Sequence, residues 1–599
     1  MNMEMENGGR GVEHTEDVPA KTRVEHTEDV PAGMQAEYTE NVPTEAQAEP
    51  TKDIPMGTRY VASERILPKE SAYTKGLKEH YLYFFRLSVL YGMIYAFCMY
   101  RNPAGITFPL LVALTLAFAA LCLKKIRSVS GGKNGEIVRM AGGDGEAAQT
   151  DRVTGEDGKK DGRWFRTCTL PYLAAIALLG ISTCLTANEF FHFFNKVAIV
   201  MLFSAAMLHQ LYEDGKWSFP LYVRNLFVLW GSCIASVGKV FSHAATYRAQ
   251  ETQGAERRKK TLAVMRGVGM ACLVLVVVLP LLISSDLIIV EMLEQALEDI
   301  NIAEGVLPTF DIFVGMVAFY SFFAGLFRQN VSGEMKGNGK RAESLTGITF
   351  VSILAVVYVF YAAVQIIYLF LRAGTLPGDL TYSQYAHEGF WQLVMVSVIN
   401  IVMVLICMQV FQKHKVLNGL LLVISLCTCV MTASAAYRMV LYVDAYHLTF
   451  LRILVLWFLG VLALVMVGMM VAIFRTGFPL FQYSVAVLTC CYIAFSFVRV
   501  DAVIASYNME NMEYMRMNDV WYLMSLSEDA APYVARIEPE MVVNLEEDYA
   551  NWSESDENFL DVQKRQYFEY ILQEDMSLRQ WNYGMARAKD VAGEYLRGE

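Results

Sequence analysis

Residues 451–474 read LRILVLWFLGVLALVMVGMMVAIF. After Arg452 the stretch carries no charged side chain. As an α-helix it is about 36 Å long, more than the ~30 Å hydrocarbon core of a bilayer. It is apolar on every face, so lipid or other helices must surround it. Ten further runs of this kind lie at 82–100, 106–123, 168–186, 192–212, 264–285, 308–327, 347–371, 390–411, 417–440 and 480–499. Eleven such runs predict an all-α, polytopic transmembrane helical bundle over 81–500. A polar segment, 1–80, precedes it and another, 501–599, follows it.

The charge is unevenly placed. The whole chain carries a formal net charge of -11, while 501–599 holds 21 Asp and Glu against 8 Lys and Arg. The last hundred residues therefore account for the entire acidic excess, and so acidic a segment repels phosphate and argues against nucleic acid as a partner. All eleven cysteines fall in or beside apolar runs, from Cys98 to Cys491. They read as small packing residues, and no disulfide framework is implied.

Residues 12–59 repeat with a period of twelve: VEHTEDVPAKTR, VEHTEDVPAGMQ, AEYTENVPTEAQ, AEPTKDIPMGTR. Each unit has a Val-Pro or Ile-Pro step, several charges and almost no large apolar residue. Such units cannot bury enough surface to offset their ordering entropy, so 1–80 is expected to be disordered. No apolar core precedes Tyr81, and a signal peptide is not expected.

Sidedness follows from Lys and Arg in the short loops. Lys124, Lys125 and Arg127 end the second run, Arg257, Arg258, Lys259 and Lys260 precede the fifth, and Arg328, Lys336, Lys340 and Arg341 follow the sixth. Lys413, Lys415 and Arg475 follow the eighth and tenth. With eleven crossings these all share one side, which the rule makes cytoplasmic, and the acidic C-terminal segment lies outside. The apolar segment 219–241 carries Arg224 and Lys239. If it crossed, every later loop would invert, so it is placed as a cytoplasmic interfacial helix. A clearer amphipathic helix is expected at 287–302, on the outer side. After Asp501, Trp521, Tyr522, Leu523, Trp552, Phe559, Tyr567, Tyr570 and Trp581 recur at roughly helical spacing. They predict a small helical extracytoplasmic domain, too small for a strong core of its own and expected to rest on the bundle.

Several stretches resemble one bacterial membrane family. They are TLPGDLTYSQYAHEGFWQLVMVSVIN (375–400), SAAYRMVLYVDAYHLTFLRILVLW (434–457), VDAVIASYN (500–508) and LRQWNYGMAR (578–587), with Asn188, Asn195 and LPLLISSD (279–286) in support. Together they resemble the family called domain of unknown function 4173, related to domain of unknown function 4153. The resemblance implies a bacterial cytoplasmic membrane and supplies no activity, cofactor or catalytic residue.

The polar residues of the outer loops form the candidate site: Tyr382, Tyr385, His387, Glu388, Trp391, Arg438, Tyr442, Asp444, Arg452 and Asp501. A planar guanidinium pairs two oxygens at once, so this set suits an anionic lipid or envelope polymer. The same residue types also serve as membrane-interface anchors. Arg86, Lys196, Arg266 and Asp311 lie in apolar runs, near enough to an end for their charges to reach the interface. His387-Glu388 lacks the second His of a zinc-protease motif, and a zinc site needs at least three protein ligands. GGKNG and GGDG in 131–145 sit in a polar loop and imply no phosphate cradle. No metal, cofactor or catalytic group is expected. The expectation is a non-enzymatic protein at the outer face, in envelope scaffolding, sensing or assembly, with the bilayer and a protein bound through the tail as partners. A transporter or lipid-handling protein with a path through the bundle is the alternative.

Overall fold

The computed structural model describes residues 71–102, 104–130, 169–212, 214, 217, 219–251, 302–328, 342–367, 390–475, 477–543, 557–574 and 576–598, and helical backbone at 264, 267, 271, 274 and 278. The repeats, the run at 264–285 apart from those positions, the amphipathic segment at 287–301 and the loop at 371–389 lie outside the described residues.

The described residues form an all-helical bundle. Helix α1 (Ala72–Glu79) leads into α2 (Tyr81–Met99), α3 (Thr107–Ser130), α4 (Leu170–Thr183) and α5 (Glu189–Leu211). Next come α6 (Phe219–Ile234), α7 (Lys239–Glu251), α8 (Ile302–Phe327), α9 (Ser344–Ile366), α10 (Phe390–Val410), α11 (Lys415–Tyr446), α12 (Phe450–Phe474) and α13 (Leu480–Phe497). Nine of these are long and apolar enough to cross a membrane: α2, α3, α5 and α8 to α13. Helix α4 is shorter than the expected 168–186, with 14 residues. It nevertheless connects both ends of the bundle. Thr169 donates to Gln210 at the end of α5, and Thr183 lies next to the tail.

Side-chain packing builds two adjoining cores. One gathers α2, α3, α5 and α8, where Tyr91 stacks on Phe319 with ring centroids 4.4 Å apart. At the crossing of α2 and α8, a Cβ on Gly92 would lie 2.4 Å from the Ile312 carbonyl oxygen, so only glycine permits that approach. The other gathers α9, α10, α11 and α12 around Val404, Leu421, Ile424 and Met466.

The bundle has two distinct ends. Ser71, just before α1, donates to the Phe327 carbonyl at the end of α8, and Ile126 of α3 packs on Gly76. Ala342 pairs with the chain at Phe411 and Gln412, and Asn418 donates to the Ile473 carbonyl. Lys124, Lys125, Arg127, Arg328, Lys413, Lys415 and Arg475 all fall at this basic end. The C-terminal segment covers the other end. Its helices are α14 (Val500–Asn511), α15 (Met517–Ser525), α16 (Ala531–Val534), α17 (Glu557–Gln573) and α18 (Tyr583–Arg597). They share a core of Val520, Leu523, Val534, Phe568, Ile571 and Ala588. The buried Lys564 ties that core together, donating to the carbonyls of Ala535 at 3.0 Å and Ile537 at 2.7 Å. Pro68–Glu599 cluster as one compact unit, so tail and bundle fold together.

The interfacial helix expected at 219–241 is instead two helices, α6 and α7, bent by 53°. Tyr222 of α6 packs on Phe481 at the basic end of α13, and the backbone at Cys233 abuts Gly325 near the end of α8. Phe241 of α7 lies 6.3 Å from Phe313, deeper in the bundle, and Tyr247 returns to Tyr81 at the basic end. The bent pair thus runs from Tyr222 at the basic end, past the deeper contact of Phe241, to Tyr247. Interior partners draw it inward from the interface. His243 Nδ1 meets the Tyr320 hydroxyl at 2.8 Å, Trp230 Nε1 donates to Ser204, and Asn225, Ser232 and Ser236 are buried. Helix α7 ends at the basic end, and α8 begins at the tail end.

Candidate functional site at the junction of bundle and tail

Helix termini leave backbone groups without intrahelical partners, and near a membrane water satisfies few of them. The tail supplies what is missing. Arg579 donates to the carbonyls of Phe97 at 3.0 Å and Tyr100 at 2.9 Å, closing the C-terminus of α2. Asn582 donates to the carbonyls of Thr183 and Thr186 beyond α4 and caps α18 through its own oxygen. Asn508 both accepts from and donates to the backbone of Leu448, in the turn between α11 and α12. The Tyr522 hydroxyl accepts from the Phe450 amide at the start of α12.

Two buried aspartates lie among these caps. Asp529, 1% exposed, accepts from Thr186 Oγ1 at 2.5 Å and the Ala187 amide at 3.1 Å, and its other oxygen receives Arg499 Nε at 3.1 Å. Arg499 sits between α13 and α14 at φ 53, a left-handed conformation that a non-glycine residue rarely adopts, and its guanidinium covers the Tyr583 ring at 5.2 Å. Asp501, 2% exposed, accepts from Asn188 Nδ2 at 2.7 Å and from the amide and hydroxyl of Ser527, all on Oδ2. Its Oδ1 accepts no hydrogen bond. Burial raises the Asp501 carboxyl above the ordinary carboxylate range. The bonds from Ser527 and Asn188 pull it partly back, and the charge of Asp529 pushes it further up. Glu528 is also raised, first by burial and then by the charges of Glu574, Asp529 and Glu189.

Beneath the tail these residues wall a cavity of about 570 Å³. Among the described residues four carboxylates line it, Glu189, Asp501, Glu528 and Glu574, against one guanidinium, Arg101. Phe190 and Phe450, in edge contact at 4.9 Å, form part of its apolar wall. His192 also lines it, and its Nε2 donates to the Thr186 carbonyl. Deeper still, Asn195 bonds to Thr183, Tyr492 and Ser496, and Ser182 bonds to Ser496. Among the described residues no group of three or more His, Cys, Asp or Glu converges tightly enough to hold a metal ion.

A family model described as domain of unknown function (DUF4153) matches residues 173–537. The chain belongs to the DUF4153 family. No similarity to a curated protein or to a solved structure was found. The DUF4153 match takes in Asn188, Arg499, Asp501 and Asp529 but ends before Arg579 and Asn582.

Of the six described residues among those singled out from sequence, Asp501 alone lines this cavity. Tyr382, Tyr385, His387 and Glu388 lie outside the described residues. Trp391 is exposed at the start of α10, against Phe390. Arg452 lies over the Tyr442 ring at 4.1 Å and donates to the carbonyls of Tyr446 and His447, closing the turn between α11 and α12. Arg438 lies one helical turn before Tyr442 on α11, and Asp444 is exposed. The described members of the set are therefore divided between this turn, the start of α10 and the tail junction. Sequence reading passed over Arg499, Asp529, Glu189, Glu528 and Glu574. The available signals were Asn188 and the stretches 500–508 and 578–587, which carry the caps.

Proposed function

We propose that this chain is a non-enzymatic integral protein of a bacterial cytoplasmic membrane, of the 4173 branch, acting at the outer face in envelope sensing, scaffolding or assembly. The observation that carries this reading is the clamped tail: an acidic domain fastened over the ends of α2, α4, α5 and α12 and roofing a cavity. Such a domain couples whatever occupies the cavity to the positions of the helices below. The orientation rests on the lysines and arginines of the short loops, gathered at the end opposite the tail. An outward tail has access to a protein partner, or to an anionic lipid or envelope polymer near Arg438 and Arg452.

The deciding experiment places single cysteines at Glu540, exposed on the tail, and at Lys413, exposed at the basic end. A membrane-impermeant maleimide is then applied to intact cells. The expected result is labelling at 540 in intact cells and at 413 only after permeabilisation. The opposite pattern removes the outer-face role. A path through the bundle is the second reading, favoured by the Asn195, Ser182, Ser496 and Tyr492 network that extends the cavity's polar character inward.

A further inference from the structure

We propose that the groove between α9 and α10 binds one acyl chain of an anionic phospholipid, with Lys413 and Lys415 holding its phosphate at the groove's basic end. This surface lies away from the tail-covered cavity and rests neither on the role of that cavity nor on membrane sidedness.

The groove follows from how the helices pack. Helices α9 and α10 each pack on α11. At the basic end the two are drawn together. The Ala342 amide donates to the Val410 carbonyl at 2.9 Å, and the Gln412 amide donates to the Ala342 carbonyl at 3.0 Å. There the Phe411 ring sits so close to α9 that a Cβ on Gly347 would lie 2.7 Å from it. From this closure a groove of about 510 Å³ runs along α10. Ile399, Met403, Ile406 and Val410 line it on one face of that helix, with Phe350 across from them on α9, and no charged residue lines it among the described residues. Ile399 and Ile406 are 56% and 53% exposed, so the groove opens toward lipid.

Its length and width select the occupant. From Phe411 to Ile399 the helix rises about 18 Å, close to one leaflet's half of the ~30 Å hydrocarbon core. The groove therefore runs from the interface to the midplane, as one acyl chain does. A helix of that length, about 10–12 Å across, would displace more than about 1,400 Å³ and overfill it. Left empty, so narrow a groove forfeits dispersion contacts, and a single flexible chain restores them. Charge selects the headgroup. Lys413 follows Phe411 by two residues and Lys415 opens α11; both are exposed and, among the described residues, form no ion pair. Arg475 stands at the same end, where Asn418 donates to the Ile473 carbonyl. These cations outnumber Glu343, the acid beside Ala342. A phosphate at the mouth of the groove meets net positive charge, and the lysines gain a partner that the chain does not supply.

The test uses the full-length protein, stripped of lipid in detergent micelles and titrated with phosphatidylglycerol or with phosphatidylcholine of the same acyl chains. Bound lipid is counted by native mass spectrometry. Phosphatidylglycerol should bind at least ~5-fold more tightly, the effect of one basic side chain beside an anionic headgroup. Lys413→Gln combined with Lys415→Gln should abolish that preference. Ile406→Trp fills the groove from a lipid-facing position, and should weaken binding of both lipids by at least ~10-fold with the unfolding temperature unchanged. Phe360→Trp, 72% exposed on α9 and outside the groove lining, should bind as the parent does. The proposal is overturned if the two lipids bind equally, or if Ile406→Trp binds phosphatidylglycerol as well as the parent. It is also overturned if Phe360→Trp weakens binding as much as Ile406→Trp, which would mark a nonspecific lipid coat. A clearly lower unfolding temperature for lipid-free Ile406→Trp would show that a protein segment already fills the groove, and overturns it too.

Discussion

Arg499 and Asp529, thirty residues apart in the chain, close on one another at 3.1 Å and join the last membrane helix to the tail. Asp529 also holds the turn between α4 and α5 through Thr186 and Ala187. One carboxylate thus ties two separate segments to its own.

Asp529→Ala strands a largely buried guanidinium and two backbone-linked donors. Loss of one partner of a buried pair costs roughly 3 kcal/mol. The full-length protein should therefore unfold at a clearly lower temperature in micelles. Adding Arg499→Ala to that variant should cost little more, because the interaction is already gone. Fully additive losses in the double-mutant cycle would show that the two do not cooperate.

Gly584→Ala tests how closely the tail seats. A Cβ there would lie 2.5 Å from Asp529 Oδ1 and 2.9 Å from the Ala187 amide nitrogen. Gly593, on the same helix, has only the end of Arg597 nearby, at 3.7 Å. Gly584→Ala should loosen the tail, seen as faster limited proteolysis between α16 and α17. Gly593→Ala should be neutral or stabilising by up to about 1 kcal/mol, as alanine is in a helix interior. Equal effects from both would refute the close-approach account.

Acidity should tighten the junction. The carboxyls of Asp501 and Glu528 are raised above the ordinary range when the tail is docked. The docked state therefore takes up protons more readily than the undocked one, whose carboxyls titrate near pH ~4. Their stabilising contribution is fully present below that ordinary value and fades as pH climbs through the raised values. Amide exchange in 517–534, corrected for intrinsic rate, should be slower at about pH 5.5 than at about pH 7. Asp501→Asn should flatten the difference, and a steeper profile in that variant would contradict the assignment.

Arg579→Ala frees the carbonyls of Phe97 and Tyr100 at the end of α2. Loss of such bonds to a charged group costs about 1–3 kcal/mol. Arg587, exposed on α18, provides the comparison, and its alanine variant should stay within roughly 0.5 kcal/mol of the parent. Thermal unfolding of the two variants side by side settles the point.

Nine of the eleven expected spans were legible because an uninterrupted apolar run of this length leaves the backbone little choice but a helix in lipid. The bent pair of α6 and α7 was not, since its polar residues on an apolar background also fit an interface. What draws them inward is Tyr320 and Ser204, supplied by other helices. The site shows the same division. Tyr442 and Arg452, ten residues apart, do meet. Asp501 was picked out for its charge beside a span, yet its partners are Asn188, 313 residues earlier, and Ser527 in the tail. Glu189, Glu528 and Glu574 resemble any other surface acids until the fold turns them toward one cavity.

The caps on α2 also set an order of events at the ribosome. Asn102 and Arg579 are bonded across 477 positions, so the end of α2 waits for its closing partner until about 480 further residues have been made. Until synthesis passes Asn582, the ends of the early helices stand open. A chain cut short before Arg579 would leave the end of α2 without these partners.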